Sequence, residues 1–202
     1  MDAILPETEL VILAGGQALR MQGKNKLLQQ FDAQIQLVKI YQAFYAQVTQ
    51  VWVNSHRDHT IYQKIQPNIK CFTDENSGFE GPLMGMQTAW THVKADYILF
   101  LPCDITVIPS LIYQDLHLAL RKNSASLVAY VEINHQALYP FCLIKRSAVK
   151  VIKQHVSQKK LSLKRCFDAL NATVVKVNEP TLYFHSINSE LELTQYQNAL
   201  SI

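Results

Sequence analysis

An α/β fold with a largely parallel sheet and helices on both faces is the architecture that this 202-residue sequence predicts. Three observations carry the expectation. Short apolar runs rich in Val, Ile and aromatic residues alternate with segments of helical spacing through much of the chain. All six glycines fall between Gly15 and Gly85, in two short stretches, the first of them directly after an apolar run. No internal repeat, low-complexity tract or Pro/Gly-rich linker interrupts the pattern, so one domain over residues 1–202 is the economical expectation.

The first strand is expected at 9–14, where Leu10, Val11, Ile12 and Leu13 form a continuous apolar run suited to burial on both faces. Similar runs at 50–54, 69–73, 96–101 and 125–131 predict four more strands. In 34–48, Leu37, Ile40, Tyr41, Phe44 and Val48 recur at three- and four-residue intervals and share one helical face. Residues 84–93 and 110–121 repeat that pattern more weakly. Beyond them, 137–145 reads as a strand broken at its start by Pro140, because proline cannot donate to a ladder. Helices at 147–156 and 160–170, a strand at 172–177, an extended piece Leu182–His185 and a terminal helix from 189 complete the chain.

Composition excludes several classes. Hydrophobic residues at 49 % and charged residues at 17 % are globular proportions, not those of a disordered chain. A net charge of +3 and the absence of a long basic run argue against nucleic acid as a partner. The densest basic cluster, Lys159 and Lys160 with Lys164 and Arg165, reads as a solvated helix face, with an anionic-ligand site as the alternative. No apolar stretch approaches the roughly 20 residues that span a bilayer, so no membrane association is expected. Cys71, Cys103, Cys142 and Cys166 form no CxxC pair and read as buried thiols of a reducing compartment. With no signal-peptide pattern at the N-terminus, a cytoplasmic location follows. His56 and His59 lack a third ligand nearby and read as surface residues, and no G-x-S-x-G elbow supports acyl transfer.

In open α/β sheets ligands bind beyond the carboxyl ends of the strands. That rule gathers the loop Gly15–Lys26, Asn54, Asp74 and Asp104 at four successive strand ends. The loop matches neither a Walker motif nor a dinucleotide fingerprint. Its bare backbone at Gly15–Gly16 is nonetheless suited to phosphate oxygens, Arg20 to a bidentate phosphate contact, and Lys26 to a compact point charge. Asp104 follows an almost wholly apolar strand, where a carboxylate needs a partner or a cation. It suits a Mg²⁺ ligand that bridges to phosphate, or alternatively a turn or helix cap. Asn54 and Asp74 read either as ligand contacts or as turn caps.

Leu13-Ala14-Gly15-Gly16 with Arg20, Met21 and Lys26, then Gly81-Pro82-Leu83-x-Gly85-Met86, then Pro102-Cys103-Asp104, resemble the molybdenum cofactor guanylyltransferases in order and spacing. The resemblance runs from about residue 9 to Ile187-Asn188-Ser189. It implies a Rossmann-like three-layer nucleotidyltransferase fold with a mostly parallel sheet, and transfer of GMP from GTP to the molybdenum–molybdopterin cofactor with release of pyrophosphate. Carried onto these positions, it has Leu13, Ala14 and Gly15 contact the nucleotide through backbone. Arg20 and Lys26 neutralise phosphate charge, Asn54 and Asp74 hold the nucleoside, the segment Gly81 to Gly85, with Pro82, shapes the base pocket, and Asp104 ligates Mg²⁺. Tyr139, Pro140 and Asn188, with the Lys159–Arg165 cluster, are candidate acceptor-side contacts. Gly15 in Leu-Ala-Gly-Gly goes with guanine, where cytosine-using relatives tend to have alanine. Molybdoenzymes or their chaperones are implied as transient partners. The chain departs from the family pattern at Gln22, Asn25 and Ser186, which stand where Gly, Asp and Asn are expected. Two alternatives stay open: a cytidylyl- or sugar-phosphate nucleotidyltransferase, and a nucleotide-binding homologue with impaired catalysis.

Overall fold

The computed structural model describes residues 5–16, 23–75, 81–179 and 184–200. Along the chain lie β1 (Thr8–Leu13), α1 (Gln36–Phe44), β2 (Val51–Asn54), α2 (His59–Ile65), β3 (Lys70–Phe72), α3 (Pro82–His92), β4 (Tyr97–Pro102) and α4 (Ile112–Lys122). They are followed by β5 (Val128–Ile133), β6 (Gln136–Lys145), α5 (Val149–Ser157), α6 (Leu163–Ala169), β7 (Thr173–Val177) and α7 (Glu190–Leu200).

Every residue of β1 is buried, because strand geometry sends alternate side chains to opposite faces and both faces are covered. Leu10 and Ile12 enter one core with Leu37, Ile40 and Phe44 of α1, Tyr62 of α2, and Ile112, Leu116 and Leu120 of α4. Val11 and Leu13 enter the other, with Leu83, Met86 and Trp90 of α3, Ile152 of α5 and Phe167 of α6. Each large apolar side chain so buried contributes roughly 1.5–3 kcal/mol. The result is three layers, with the sheet between two helical layers. A smaller cluster of Phe31, Ile187 and Tyr196 seats α7 against the loop that precedes α1.

Among the described residues seven strands form one sheet, in the order β3-β2-β1-β4-β6-β5-β7. β1 pairs in parallel with β2 and β4, β2 with β3, and β5 with β7. β6 is antiparallel to both its neighbours, so the sheet is mixed, with one reversed strand. The mostly parallel three-layer architecture expected from the sequence is thus the one observed.

Two expectations need correction. Pro140 does not break the strand: β6 runs unbroken from Gln136 to Lys145. The β5–β6 register jumps there from Tyr130↔Cys142 to Val131↔Leu138, and the β4 ladder ends at Cys142. Pro140 therefore sits in a bulge, where its missing N–H costs no ladder bond. Helix α2 was not anticipated, since Tyr62 is its sole fully buried side chain and seven residues carry too little periodicity to read.

Candidate active site

The carboxyl ends of β3, β2, β1 and β4 lie side by side, and two backbone bonds hold the first loop in place where it leaves the sheet. Ala14 N–H donates to the Asn54 carbonyl at 2.9 Å, and Cys103 N–H to the Leu13 carbonyl at 3.1 Å. Two adjoining clefts open above this point. The first, of about 190 Å³, is lined by Ala14, Gly16, Asn25, Lys26, Arg57, Cys103 and Asp104. The second, of about 170 Å³, is lined by Gly15, Asn54, Asp74, Gly81, Pro82 and Pro140. Leu13, Gly16 and Pro102 belong to both, so one elongated ligand can occupy the two together.

In the first cleft, Lys26 opens a short 3-10 turn, Lys26–Leu28, capped by Asn25, whose Oδ1 accepts from Leu27 N–H at 3.0 Å. Lys26 Nζ donates to Asp104 Oδ2 at 2.8 Å and to Asn188 Oδ1 at 2.9 Å. The ammonium and carboxylate are only 14 % and 20 % exposed, so each reduces the cost of desolvating the other. The turn carrying Asp104 is clamped from two sides. Ile187 N–H donates to the Asp104 carbonyl at 2.9 Å, and buried Gln36 of α1 donates to the Ile105 carbonyl at 2.6 Å. Asn188 is held in turn by Ser186 Oγ, 3.1 Å from its Nδ2, and by Glu192, which accepts from its backbone N–H at 2.6 Å. Ser186 thus fixes Asn188 from the position where the family pattern has Asn. Burial, with the Asp104 carboxylate next in effect, pushes the Cys103 thiol up to about 12, leaving it neutral and unsuited to nucleophilic attack.

In the second cleft, Asn54 is 2 % exposed and donates through Nδ2 to Asp74 Oδ1 at 2.8 Å. His56 Nε2 stands 3.3 Å from Asp74 Oδ2, and His59 Nε2 lies 2.6 Å from the Ser55 carbonyl. Both histidines are therefore half-buried, not the surface residues expected: His56 meets Asp74 from beyond β3, whereas His59, the first residue of α2, turns back on Ser55 four positions earlier. A Cβ on Gly15 would stand 3.2 Å from Asn54 Oδ1, which ties the glycine to the asparagine it faces. Gly81, at φ +84°, turns the chain into α3, with Pro82 at the first helical position.

Of the residues singled out in the sequence, Leu13, Ala14, Gly15, Lys26, Asn54, Asp74, Gly81, Pro82, Asp104 and Pro140 line one or both clefts, and Asn188 touches Lys26. Arg20 and Gln22 lie outside the described residues. Tyr139 lines neither cleft: it packs against Tyr130, with ring centroids 4.9 Å apart, and against Phe167. Lys164 pairs with Asp168 one turn on, at 3.2 Å, as a solvated helix face does. Arg57 was not singled out, although a cation three positions beyond the Asn54 that ends its strand was the available signal. Among the described residues no group of three or more His, Cys, Asp or Glu converges as a closed metal cage.

A family model for the MobA-like NTP transferase domain matches residues 10–174. The molybdenum cofactor guanylyltransferase of Acinetobacter baumannii is 59 % identical over 98 % of this chain and 94 % of its own length. That of Pasteurella multocida is 32 % identical, over 91 % and 95 %. Among solved structures, molybdopterin-guanine dinucleotide biosynthesis protein A from Archaeoglobus fulgidus has a TM-score of 0.69 at 15 % identity, covering 96 % of this chain and 98 % of that one. A CMP:2-keto-3-deoxy-manno-octonic acid synthetase complexed with CTP has 0.73 at 18 %, with the same coverage. The two structural likenesses speak for the fold; the sequence matches speak for the family. With Gly16, Lys26 and Asp104 brought to one cleft on a nucleotidyltransferase fold, the chain belongs to the MobA-like NTP transferases and, within them, to the molybdenum cofactor guanylyltransferase family.

Proposed function

We propose that the protein transfers GMP from GTP to the molybdenum–molybdopterin cofactor, forming the guanine dinucleotide cofactor and pyrophosphate. The observation that carries this reading is the convergence of bare main chain at Gly16, the Lys26 ammonium and the Asp104 carboxylate on one cleft, next to a second cleft lined by Asn54, Asp74 and Gly81. The nucleoside occupies the second cleft and the triphosphate crosses Gly16 into the first.

A terminal phosphate oxygen of the acceptor attacks the α-phosphorus in line as the bond to the α–β bridging oxygen breaks, and pyrophosphate departs with that electron pair. The acceptor phosphate is already ionised, so no strong general base is required, which agrees with the neutral Cys103 beside the site. Catalysis then rests on alignment and on charge placed in advance around the phosphates. Lys26 is held by Asp104 and Asn188 before substrate arrives, so little reorganisation is needed. Arg20 is assigned to the same phosphates.

The donor set fits Mg²⁺. Among the described residues lining the first cleft, Asp104 is the one carboxylate, and Mg²⁺ usually takes one or two carboxylates with substrate phosphates and water completing its shell. Asp104 would hold the ion, whose contribution when bound is to neutralise charge on the phosphate oxygens. Pro140 and Asn188 approach the acceptor side, with Tyr139 beside Pro140. Among the described residues no helix is long and apolar enough to cross a membrane. The work is assigned to the cytoplasm, where GTP is present and free Cys71, Cys103, Cys142 and Cys166 stay reduced. Handover to a molybdoenzyme or its chaperone would follow.

The test is incubation with GTP, Mg²⁺ and molybdenum cofactor, followed by mass analysis. A product heavier by one GMP, with stoichiometric pyrophosphate, is expected. Product from CTP in place of GTP would indicate the cytidylyl alternative, and GTP binding with no turnover would indicate an impaired homologue.

A further inference from the structure

The first cleft has a charge deficit that Lys26 does not meet. A triphosphate brings several negative charges, of which the Mg²⁺ and Arg20 assigned above offset only part; Lys26 already faces Asp104 at 2.8 Å, and the formal charges of these two lining residues cancel. Lys24 is likewise engaged, by Glu190 at 2.5 Å. Arg57 is the remaining cation among the described residues that line this cleft.

Its backbone is set by a tight turn after β2. Buried Ser55 donates through Oγ to the Arg57 carbonyl at 3.0 Å and accepts from Arg57 N–H at 3.3 Å. Asp58 follows in a left-handed conformation, φ 63°, with Oδ2 at 3.7 Å from Arg57 Nε. That distance orients the guanidinium but lies outside hydrogen-bond range, leaving its terminal N–H groups for a ligand. Asp58 is anchored by Asn25, whose Nδ2 donates to Asp58 Oδ2 at 2.6 Å and lies at the same distance from the Tyr62 hydroxyl. The departure from the family pattern at Asn25 thereby acquires a reason. A carboxylate there would face Asp58 across the same gap, whereas the amide links the loop of Lys26 to the turn of Arg57.

Position in the sheet assigns the phosphates. β1 separates β2 from β4, so Arg57 and Asp104 approach the first cleft from opposite sides. Asn188, the proposed acceptor contact of this cleft, lies on the Asp104 side, sharing the Lys26 ammonium with that carboxylate. In-line displacement sends the leaving group away from the attacking oxygen, toward Arg57. We infer that Arg57 is a second phosphate-binding cation, gripping the pyrophosphate portion of the nucleotide opposite Lys26, with Asp58 and Asn25 as its positioning residues. This rests on the nucleotidyltransferase reading above.

Calorimetric titration of the full chain with Mg²⁺-GTP, Mg²⁺-pyrophosphate and GMP tests it, using wild type, Arg57→Ala, Arg57→Lys, Asp58→Asn and the Arg57→Ala/Asp58→Asn double variant. Arg57→Ala should weaken GTP and pyrophosphate by about tenfold, the loss of one charge-assisted contact, and leave GMP within about twofold. Arg57→Lys should recover part of the affinity, because an ammonium cannot reproduce the fork. Asp58→Asn should weaken pyrophosphate in wild type and add nothing in the Arg57→Ala background, a non-additivity that a purely structural role would not produce. Unchanged pyrophosphate affinity in Arg57→Ala, or an equal loss for GMP and GTP, overturns the assignment. Wild type that binds pyrophosphate but no nucleotide would instead sink the guanylyltransferase reading while leaving the Arg57 comparison interpretable.

Discussion

Gly85 and Asn54 are in contact so close that no side chain fits between them: a Cβ on Gly85 would stand 2.5 Å from Asn54 Oδ1 and 3.1 Å from a Leu13 methyl. Gly85 is the fourth residue of α3, inside the helix, where glycine is otherwise costly, so its presence is explained by the neighbour and not by the helix. The asparagine cannot retreat, since Asp74 accepts from its Nδ2 at 2.8 Å.

Gly85→Ala should therefore displace Asn54 and destabilise the fold by about 1–3 kcal/mol, in spite of alanine's higher helix propensity. Urea unfolding measures the first effect. The second, a smaller GTP-induced rise in melting temperature, shows in thermal shift. A variant as stable and as responsive to GTP as wild type would mean that Asn54 does not hold the nucleoside.

Asp104→Asn keeps the shape beside Lys26 but removes the charge that faces the ammonium and that the proposed Mg²⁺ would use. Turnover should fall by about 10²–10³-fold. Stability should also fall, because Lys26 is left largely buried without its counter-charge, so urea midpoints establish that the variant assayed is folded. Continuous pyrophosphate-release assays across a Mg²⁺ series read the rate, and activity above a tenth of wild type at any Mg²⁺ concentration would remove Asp104 from the chemistry.

Asn25→Asp should destabilise the protein near neutral pH by about 1–3 kcal/mol, because a hydrogen bond to Asp58 becomes a contact between two carboxylates. Adding Asp58→Asn to Asn25→Asp restores one donor and one acceptor to the pair. The double variant should recover most of the lost stability, and denaturant midpoints of the four proteins form the cycle. Additive losses would show that the two positions do not interact.

Stability should also fall with pH through His117. The imidazole is 4 % exposed, between the Tyr97 and Tyr113 rings with Nε2 at 3.0 Å from Thr8 Oγ1, and burial pushes it down to about 4. The unfolded chain protonates near 6.5, so between pH 6.5 and about 4 it binds more protons than the native state. The stabilisation is fully present above 6.5 and is lost as pH falls toward 4. Urea midpoints near pH 7 and pH 5 should differ, and His117→Gln should flatten that difference.

Local signals in the sequence were sufficient for the layers and for half of the site. Leu10–Leu13 is apolar on both strand faces, which is enough to bury a central strand, and α1 carries its core face in Leu37, Ile40 and Phe44 at helical spacing. Gly15–Gly16, Lys26 and Asp104 were legible because strand ends, bare backbone and isolated charges after apolar runs each leave a mark within a few residues. Only the tertiary structure decided what those groups meet. Asn188 reaches Lys26 from 162 positions away, Asp74 reaches Asn54 from 20, and Asn25 reaches Asp58 from 33. The reversal of β6 and the bulge that admits Pro140 to a cleft while Tyr139 stacks elsewhere depend on strand register, which is set by partners distant in the chain. Periodicity reports which side of an element is buried; it holds no information on which distant element does the burying, and the chemistry of this site lies in those long-range pairings.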